Sequence, residues 1–185
     1  MSRENKTQFA LLGILMFQSF SGYELKKAIN YGIGFFWSED YGSIYPVLAS
    51  LEKKGLVKKE YVQQIKKPSK YIYSITDTGK NHFSEWISRN ADYEKIRHEL
   101  LLKIFFGHYC SVEDNIDKLK TEINFHKNLL EEYIKIKGHL SEDGHPNENE
   151  KKYWLMTLDY GIRYSEMTIK WCEEMINDFK ESGKK

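Results

Sequence analysis

The sequence predicts a mainly α-helical fold in two parts, the first carrying one short β-hairpin. Three observations lead there. Apolar residues recur every three to four positions over most of the 185 residues, the spacing that lines one face of a helix. Between residues 56 and 75 the period falls to two, as in strands. The charge also divides: residues 1–90 carry 13 Lys+Arg against 8 Asp+Glu (+5), and residues 91–185 carry 15 against 19 (−4).

Residues 5–17, dense in apolar side chains from Phe9 to Phe17, read as a buried first helix. Ser21 is a good N-cap for a second helix from Gly22 to about Asn30, with Tyr23, Leu25 and Ile29 on it. Tyr31-Gly-Ile-Gly then favours a turn. A third helix runs from Tyr41 or Gly42 to Lys54, because Ile44, Leu48 and Leu51 fall on one stripe. Pro46 is expected in its first turn, the place where a helix tolerates proline. Gly55 ends it as a C′ residue.

Residues 56–62 and 70–75 read as strands joined by a polar turn containing Lys66, Lys67 and Pro68. Thr76 or Asp77 caps a fourth helix with Phe83, Trp86 and Ile87, closing near Arg89. A boundary at Asn90–Asp92 divides the chain into domains 1–90 and 91–185. In the second, a connecting helix is expected at about 93–108 and a longer one at 112–137, with His126 on its apolar stripe as a packed interface residue. A polar loop follows at 138–149. The last helix, about 150–180, carries Leu155, Leu158, Ile162, Ser165, Ile169, Cys172, Ile176 and Phe179 at heptad positions.

Helix, helix, helix, hairpin, helix within 85 residues is the plan of a winged helix-turn-helix. With its stripe buried, the third helix presents Gly42, Ser43, Tyr45, Pro46, Ala49 and Ser50, small or hydroxyl-bearing groups that let a helix approach a groove. Ser43 and Tyr45 are expected to donate to phosphates or base edges, and the helix N-terminus favours phosphate. At residues 53–70 seven lysines stand with a single acid, Glu60, a pattern suited to a polyanion. Candidate DNA contacts are therefore Ser21, Tyr23, Tyr41, Gly42, Ser43, Tyr45, Pro46, Lys53, Lys66, Lys67, Lys70 and Tyr71. Competing readings stand beside them: Tyr23 as core, Tyr45 packed on the second helix, Lys53 and Lys54 as a solvated face, and the winged helix as a protein-binding module.

Four segments resemble the PadR family of bacterial transcriptional regulators. They are Ala10-Leu-Leu-Gly-Ile-Leu, Ser21-Gly-Tyr-Glu-Leu, the run Tyr41-Gly-Ser-Ile-Tyr-Pro-Val-Leu through Gly55-Leu-Val, and Tyr73-Ser-Ile-Thr-Asp-Thr-Gly-Lys. Residues 91–185, with Leu101-Leu-Lys-Ile-Phe-Phe-Gly and the long final helix, resemble the longer subtype with a virulence-activator-like helical domain. The resemblance implies a homodimer, most simply a repressor, that sets two recognition helices in successive major grooves of a palindromic operator.

The stripe Leu155, Leu158, Ile162, Ile169, Cys172, Ile176 and Phe179 offers a dimerisation seam, unless it packs within its own chain. A small aromatic effector, also implied by the resemblance, is assigned to Trp154, Tyr160, Arg163, Tyr164 and Trp171, which equally suit a core.

Other classes are disfavoured. Apolar residues at 41 % and aromatics at 15 % supply a packed core, which argues against disorder. Cys110 and Cys172 follow no redox or ligand spacing, and a reducing compartment is expected. His139 and His145 flank Glu142 and Asp143 in the expected loop without a recognised ligand pattern. There is no phosphate loop and no nucleophile elbow, so neither enzyme, cofactor nor metal is expected. The N-terminal apolar run is no convincing signal peptide, and no stretch approaches the ~20 apolar residues of a membrane span. The expected location is the cytoplasm.

Overall fold

A computed structural model of the chain describes residues 5–37, 39–63, 69–92, 97–142 and 147–182. It divides into two compact units, Met1–Tyr93 and Glu94–Lys185.

The first unit runs α1 (Thr7–Leu15), β1 (Phe20–Ser21), α2 (Gly22–Gly32), α3 (Tyr41–Lys53), β2 (Val57–Val62), β3 (Lys70–Ile75) and α4 (Asp77–Ile87). Helix α1 is apolar on nearly every side and lies at the centre, packing on α2, α3 and α4. Phe9, Leu11, Leu12, Leu25, Ile29, Ile44, Leu48 and Leu51 are fully buried around it, each contributing on the order of 1.5–3 kcal/mol through burial. The Phe9 ring stacks on Trp86 of α4 at 4.3 Å between centroids, which seats α4 on the core.

Local signals set the element ends. The Ser21 side chain accepts from the Glu24 N–H, and the Glu24 carboxylate accepts from the Ser21 N–H, a capping box that starts α2. Gly55 adopts φ +70°, and the Leu56 N–H donates to the Leu51 carbonyl at 2.9 Å, closing α3. Thr76 accepts from the Gly79 N–H to start α4, and its hydroxyl donates to the Gly55 carbonyl at 2.7 Å.

Three expectations for this unit are corrected. Pro46 is the sixth residue of α3, in its second turn, where its nitrogen carries no hydrogen for the Gly42 carbonyl; the position is solvent-exposed. The sheet has three strands, not two, in the order β1-β3-β2, with Phe20 opposite Tyr73 and Ser21 opposite Ile72. Helix α2 continues two residues beyond Asn30, to Gly32.

The second unit holds α5 (Glu99–Phe105), a 3-10 turn (Gly107–Tyr109), α6 (Val112–Glu142) and α7 (Glu148–Ser182). Helix α5 is shorter than the expected 93–108; Ile96 lies outside the described residues. The buried Asn115 amide donates to the Gly107 carbonyl at 2.8 Å, tying the 3-10 turn to α6. Helix α6 runs through Gly138 and His139 to Glu142, so the expected loop from 138 onward is helical there. Nothing in this segment breaks the helix, since glycine in a helix interior costs only about 1 kcal/mol.

Helices α6 and α7 pack antiparallel: Leu119 and Ile123 share a buried cluster with Cys172 and Ile176, while Tyr133 lies against Gly161. Part of the stripe expected as a dimerisation seam is therefore used within its own chain. Leu158, Cys172 and Ile176 are buried within the chain, and Leu155, Ile162, Ile169 and Phe179 are partly buried in it. Burial pushes the Cys172 thiol up to about 11, with Glu122 and Glu173 adding to the shift. Cys110 is exposed.

Candidate nucleic-acid interface

Helix α3 divides by face. Ile44, Val47, Leu48 and Leu51 are buried, whereas Gly42, Tyr45, Pro46, Ala49, Ser50 and Lys53 are exposed. The side chain of Tyr41 lies outside the described set. Tyr45 packs on the second helix, its ring resting against Gly22 at the start of α2, while 48 % of the residue stays exposed. An added Cβ on Gly22 would stand 2.6 Å from Tyr45 Cε1.

Ser43 is half-buried, and its hydroxyl donates within the chain. Glu39 Oε2 and the Asp40 carbonyl each lie 2.8 Å from its Oγ. The other Glu39 oxygen accepts from Trp37 Nε1 at 2.8 Å. The expectation that Ser43 donates to DNA is thereby corrected.

Ser21 is buried and spends its hydroxyl on Glu24, as acceptor from the Glu24 N–H and as donor to Oε2 at 2.7 Å. Tyr23 is 53 % exposed rather than core, with Lys27 Nζ 4.9 Å from its ring centroid.

On the hairpin, the register places Lys59 opposite Tyr73 and Tyr61 opposite Tyr71, so these four share one face. Lys59 Nζ lies 4.2 Å from the Tyr71 ring centroid, and Tyr61 meets Tyr71 edge-on at 5.4 Å. Tyr61 and Tyr71 are exposed, and the Lys59 ammonium lies over the Tyr71 ring face. Lys58 pairs with Glu60. Lys70, expected to reach phosphate, instead donates to Glu24 Oε1 at 2.6 Å. The Lys70 hydrogen bond is the largest cause that holds the Glu24 carboxyl at about 2, with the Ser21 backbone and side-chain bonds adding to it. Lys66 and Lys67 lie outside the described residues.

Sequence reasoning assigns no contact to Lys27 or Tyr61 and counts Lys59 only within the lysine run at 53–70. The alternation of β2 was visible, but which face joins Tyr71 depends on register with a strand eight residues further on.

In the second unit, the residues assigned to an effector are only partly brought together. Tyr160 stacks on Tyr164 at 6.4 Å between ring centroids, and Tyr164 meets His126 at 5.7 Å. Arg163 pairs with Asp159 one turn before it. Trp171 packs instead beside the Cys172–Ile176 cluster, and Trp154 is partly exposed. Among the described residues no group of three or more His, Cys, Asp or Glu is placed to hold a metal. His139 is an exposed helical residue, and His145 lies outside the described set. No helix among the described residues is long and apolar enough to cross a membrane.

Residues 11–85 match the model of the transcriptional regulator PadR-like family, and residues 96–180 match that of the virulence activator alpha C-terminal domain. The chain is 30 % identical over 117 residues to the negative transcriptional regulator PadR of Bacillus subtilis (strain 168); the match spans 63 % of this chain and 64 % of that protein. It is 25 % identical over 185 residues to the probable transcriptional regulator Rv1176c of Mycobacterium tuberculosis, covering 93 % and 96 % of the two chains. Among solved structures, Bacillus subtilis PadR in complex with operator DNA superposes with a TM-score of 0.81 at 23 % identity, over 95 % of this chain and 99 % of that one. The same regulator in complex with p-coumaric acid gives 0.74 at 22 % identity, over 95 % and 99 %. At that identity the likeness is one of fold, a winged helix followed by a helical region.

Proposed function

The chain belongs to the PadR-like family of transcriptional regulators, and from that membership we propose that it is a homodimeric repressor acting in the cytoplasm on a palindromic operator. The observation that carries the reading is the pairing, in one unit, of an exposed small-residue face on α3 with a hairpin bearing Lys59 among exposed tyrosines. Such a helix fits the major groove while a lysine-bearing wing meets the phosphates beside it. Gly42, Tyr45, Pro46 and Lys53 are the helix contacts, with Tyr23 on α2 and Tyr71 on β3 as further ones. Ser21 and Lys70 act indirectly, through the α2 cap and its ion pair.

Two-fold symmetry supplies two such helices about one DNA turn, roughly 34 Å, apart. Because Leu158, Cys172 and Ile176 of the stripe are buried within the chain, the dimer contact is assigned to apolar groups outside it. Leu102 and Phe105 on α5, Phe125 on α6, and Met156 and Met167 on α7 are all exposed, and large apolar side chains left in water are candidates for an association surface. A small aromatic effector released or bound beside Tyr160 and Tyr164 is the corresponding switch, in line with the p-coumaric acid complex of the Bacillus subtilis regulator.

The test is a gel shift of the full chain on the DNA upstream of its own gene, between about 50 and 200 mM salt. Binding is expected to weaken steeply as salt rises, because lysine contacts release counterions. Absent or salt-insensitive binding overturns the reading.

A further inference from the structure

We infer that Ser43 meets DNA as a hydrogen-bond acceptor held in that role by Glu39, so that α3 selects an exocyclic amino group on a base edge. The inference rests on the reading of α3 as the helix that enters the major groove.

A serine hydroxyl carries one hydrogen and two acceptor lone pairs, and turns to suit its partner. A free serine therefore reads either a donor or an acceptor on a base edge. Ser43 is not free in this sense. Both neighbours of its Oγ, the Glu39 carboxylate and the Asp40 carbonyl, are acceptors at 2.8 Å, so the hydroxyl hydrogen points inward to one of them. What remains toward solvent is oxygen lone pair alone. Donation to a carboxylate polarises the hydroxyl and makes its oxygen a stronger acceptor.

Glu39 is fixed in turn. Trp37 Nε1 donates to Oε1 at 2.8 Å while Oε2 takes the Ser43 hydrogen. The carboxylate is thus gripped on both oxygens and does not swing away from α3.

Two consequences follow for recognition. Phosphate oxygens only accept hydrogen bonds, and here they would meet an oxygen lone pair beside the Glu39 carboxylate and the Asp40 carbonyl, so Ser43 does not anchor the backbone. On base edges in the major groove, guanine O6 and N7 and thymine O4 accept, while adenine N6 and cytosine N4 donate. Ser43 matches only the last two. Glu39 is a positioning residue, setting the sign of a contact it does not itself make.

The test uses the full chain and a randomised double-stranded DNA library. Wild type, Ser43→Ala, Glu39→Ala and Glu39→Gln are each taken through selection. Ser43→Ala is expected to lose preference at one base pair per half-site and nowhere else. Glu39→Ala leaves only the Asp40 carbonyl to take the hydroxyl hydrogen and so loosens the same position in part, and Glu39→Gln, whose single amide oxygen can take either the Ser43 or the Trp37 hydrogen, falls between it and wild type. A duplex of the selected sequence is then made with the amino group at that position replaced by hydrogen, as purine for adenine or 2-pyrimidinone for cytosine. It should bind wild type roughly three- to tenfold more weakly and Ser43→Ala no more weakly than the parent duplex.

An unchanged Ser43→Ala profile, an even loss at all positions, or unaltered wild-type binding to the amino-deleted duplex overturns the inference while leaving the DNA-binding reading intact. Failure of the wild type to select any sequence overturns the DNA-binding reading itself, and the inference with it.

Discussion

The ring of Tyr45, on α3, rests directly on Gly22, the first residue of α2, with no room between them for a methyl group. The contact joins the two helices of the helix-turn-helix at the side where α3 is exposed. Because Tyr45 is half exposed, its ring can swing outward if pushed. Gly22→Ala is therefore expected to cost no more than about 1 kcal/mol in urea unfolding, below the usual overpacking penalty. DNA affinity should fall together with that of Tyr45→Ala, and the double variant should bind no worse than Tyr45→Ala alone. A Gly22→Ala protein with wild-type affinity would show that the ring position is immaterial.

Gly79 makes the opposite case. A Cβ there would run into the backbone carbonyl of Leu56, which cannot swing aside because it belongs to the turn between α3 and β2. Gly79→Ala should destabilise the first unit by about 2 kcal/mol or more. A midpoint shift in urea as small as that of Gly22→Ala would contradict this.

The Glu24–Lys70 pair predicts an acid-sensitive link between α2 and β3. The Glu24 carboxyl is held at about 2, against 4.5 for a free glutamate. A depressed carboxyl contributes stability that is present above 4.5 and is lost as pH falls from 4.5 toward 2. Both side chains are partly exposed, so the contribution is at most about 1 kcal/mol. Thermal unfolding from pH 5 to pH 2.5 should show a shallower decline for Glu24→Gln than for wild type. Parallel curves would remove the pair from the account of acid stability.

In the second unit, His126 Nδ1 lies 3.0 Å from Ser165 Oγ with both residues buried, and His126 Nε2 lies 3.3 Å from the Glu122 carboxylate. Ser165→Ala strands a buried ring nitrogen, at a cost of about 1–3 kcal/mol. Adding His126→Leu removes the stranded group, so the double variant should be more stable than Ser165→Ala alone. Simple additivity of two losses would show that the hydrogen bond contributes little.

Cys172 and Cys110 should differ sharply in thiol chemistry. Cys172 is buried with its thiol up at about 11, while Cys110 is exposed. A neutral disulfide reagent at pH 8 should label Cys110 in the folded chain and Cys172 only on unfolding, since the thiolate is the nucleophile. Equal labelling rates in the folded protein would place Cys172 on an accessible surface instead.

What could be read from the sequence was local. Ser21 with Glu24 three residues on, Gly55 after an apolar helix, and Thr76 before α4 each carry the hydrogen bond or dihedral that starts or stops a helix. Such signals act within four residues, and the structure places α2, α3 and α4 within about two residues of them. The exposed face of α3 was legible for the same reason, because a helical period fixes which residues point together. Which partner then meets a face or an atom was decided only by tertiary structure. Periodicity shows that α7 has an apolar stripe, but a stripe is satisfied equally by another chain or by its own, and here Cys172 and Ile176 meet Leu119 and Ile123 of α6. Lys70 reads as a phosphate contact until β3 lies beside α2 and delivers it to Glu24, 46 residues away. Strand β1 has two residues and no pattern of its own; it exists because Tyr73 and Ile72 arrive opposite it. Hydrogen bonds and ion pairs between distant segments depend on the packed backbone, and sequence spacing alone does not encode them.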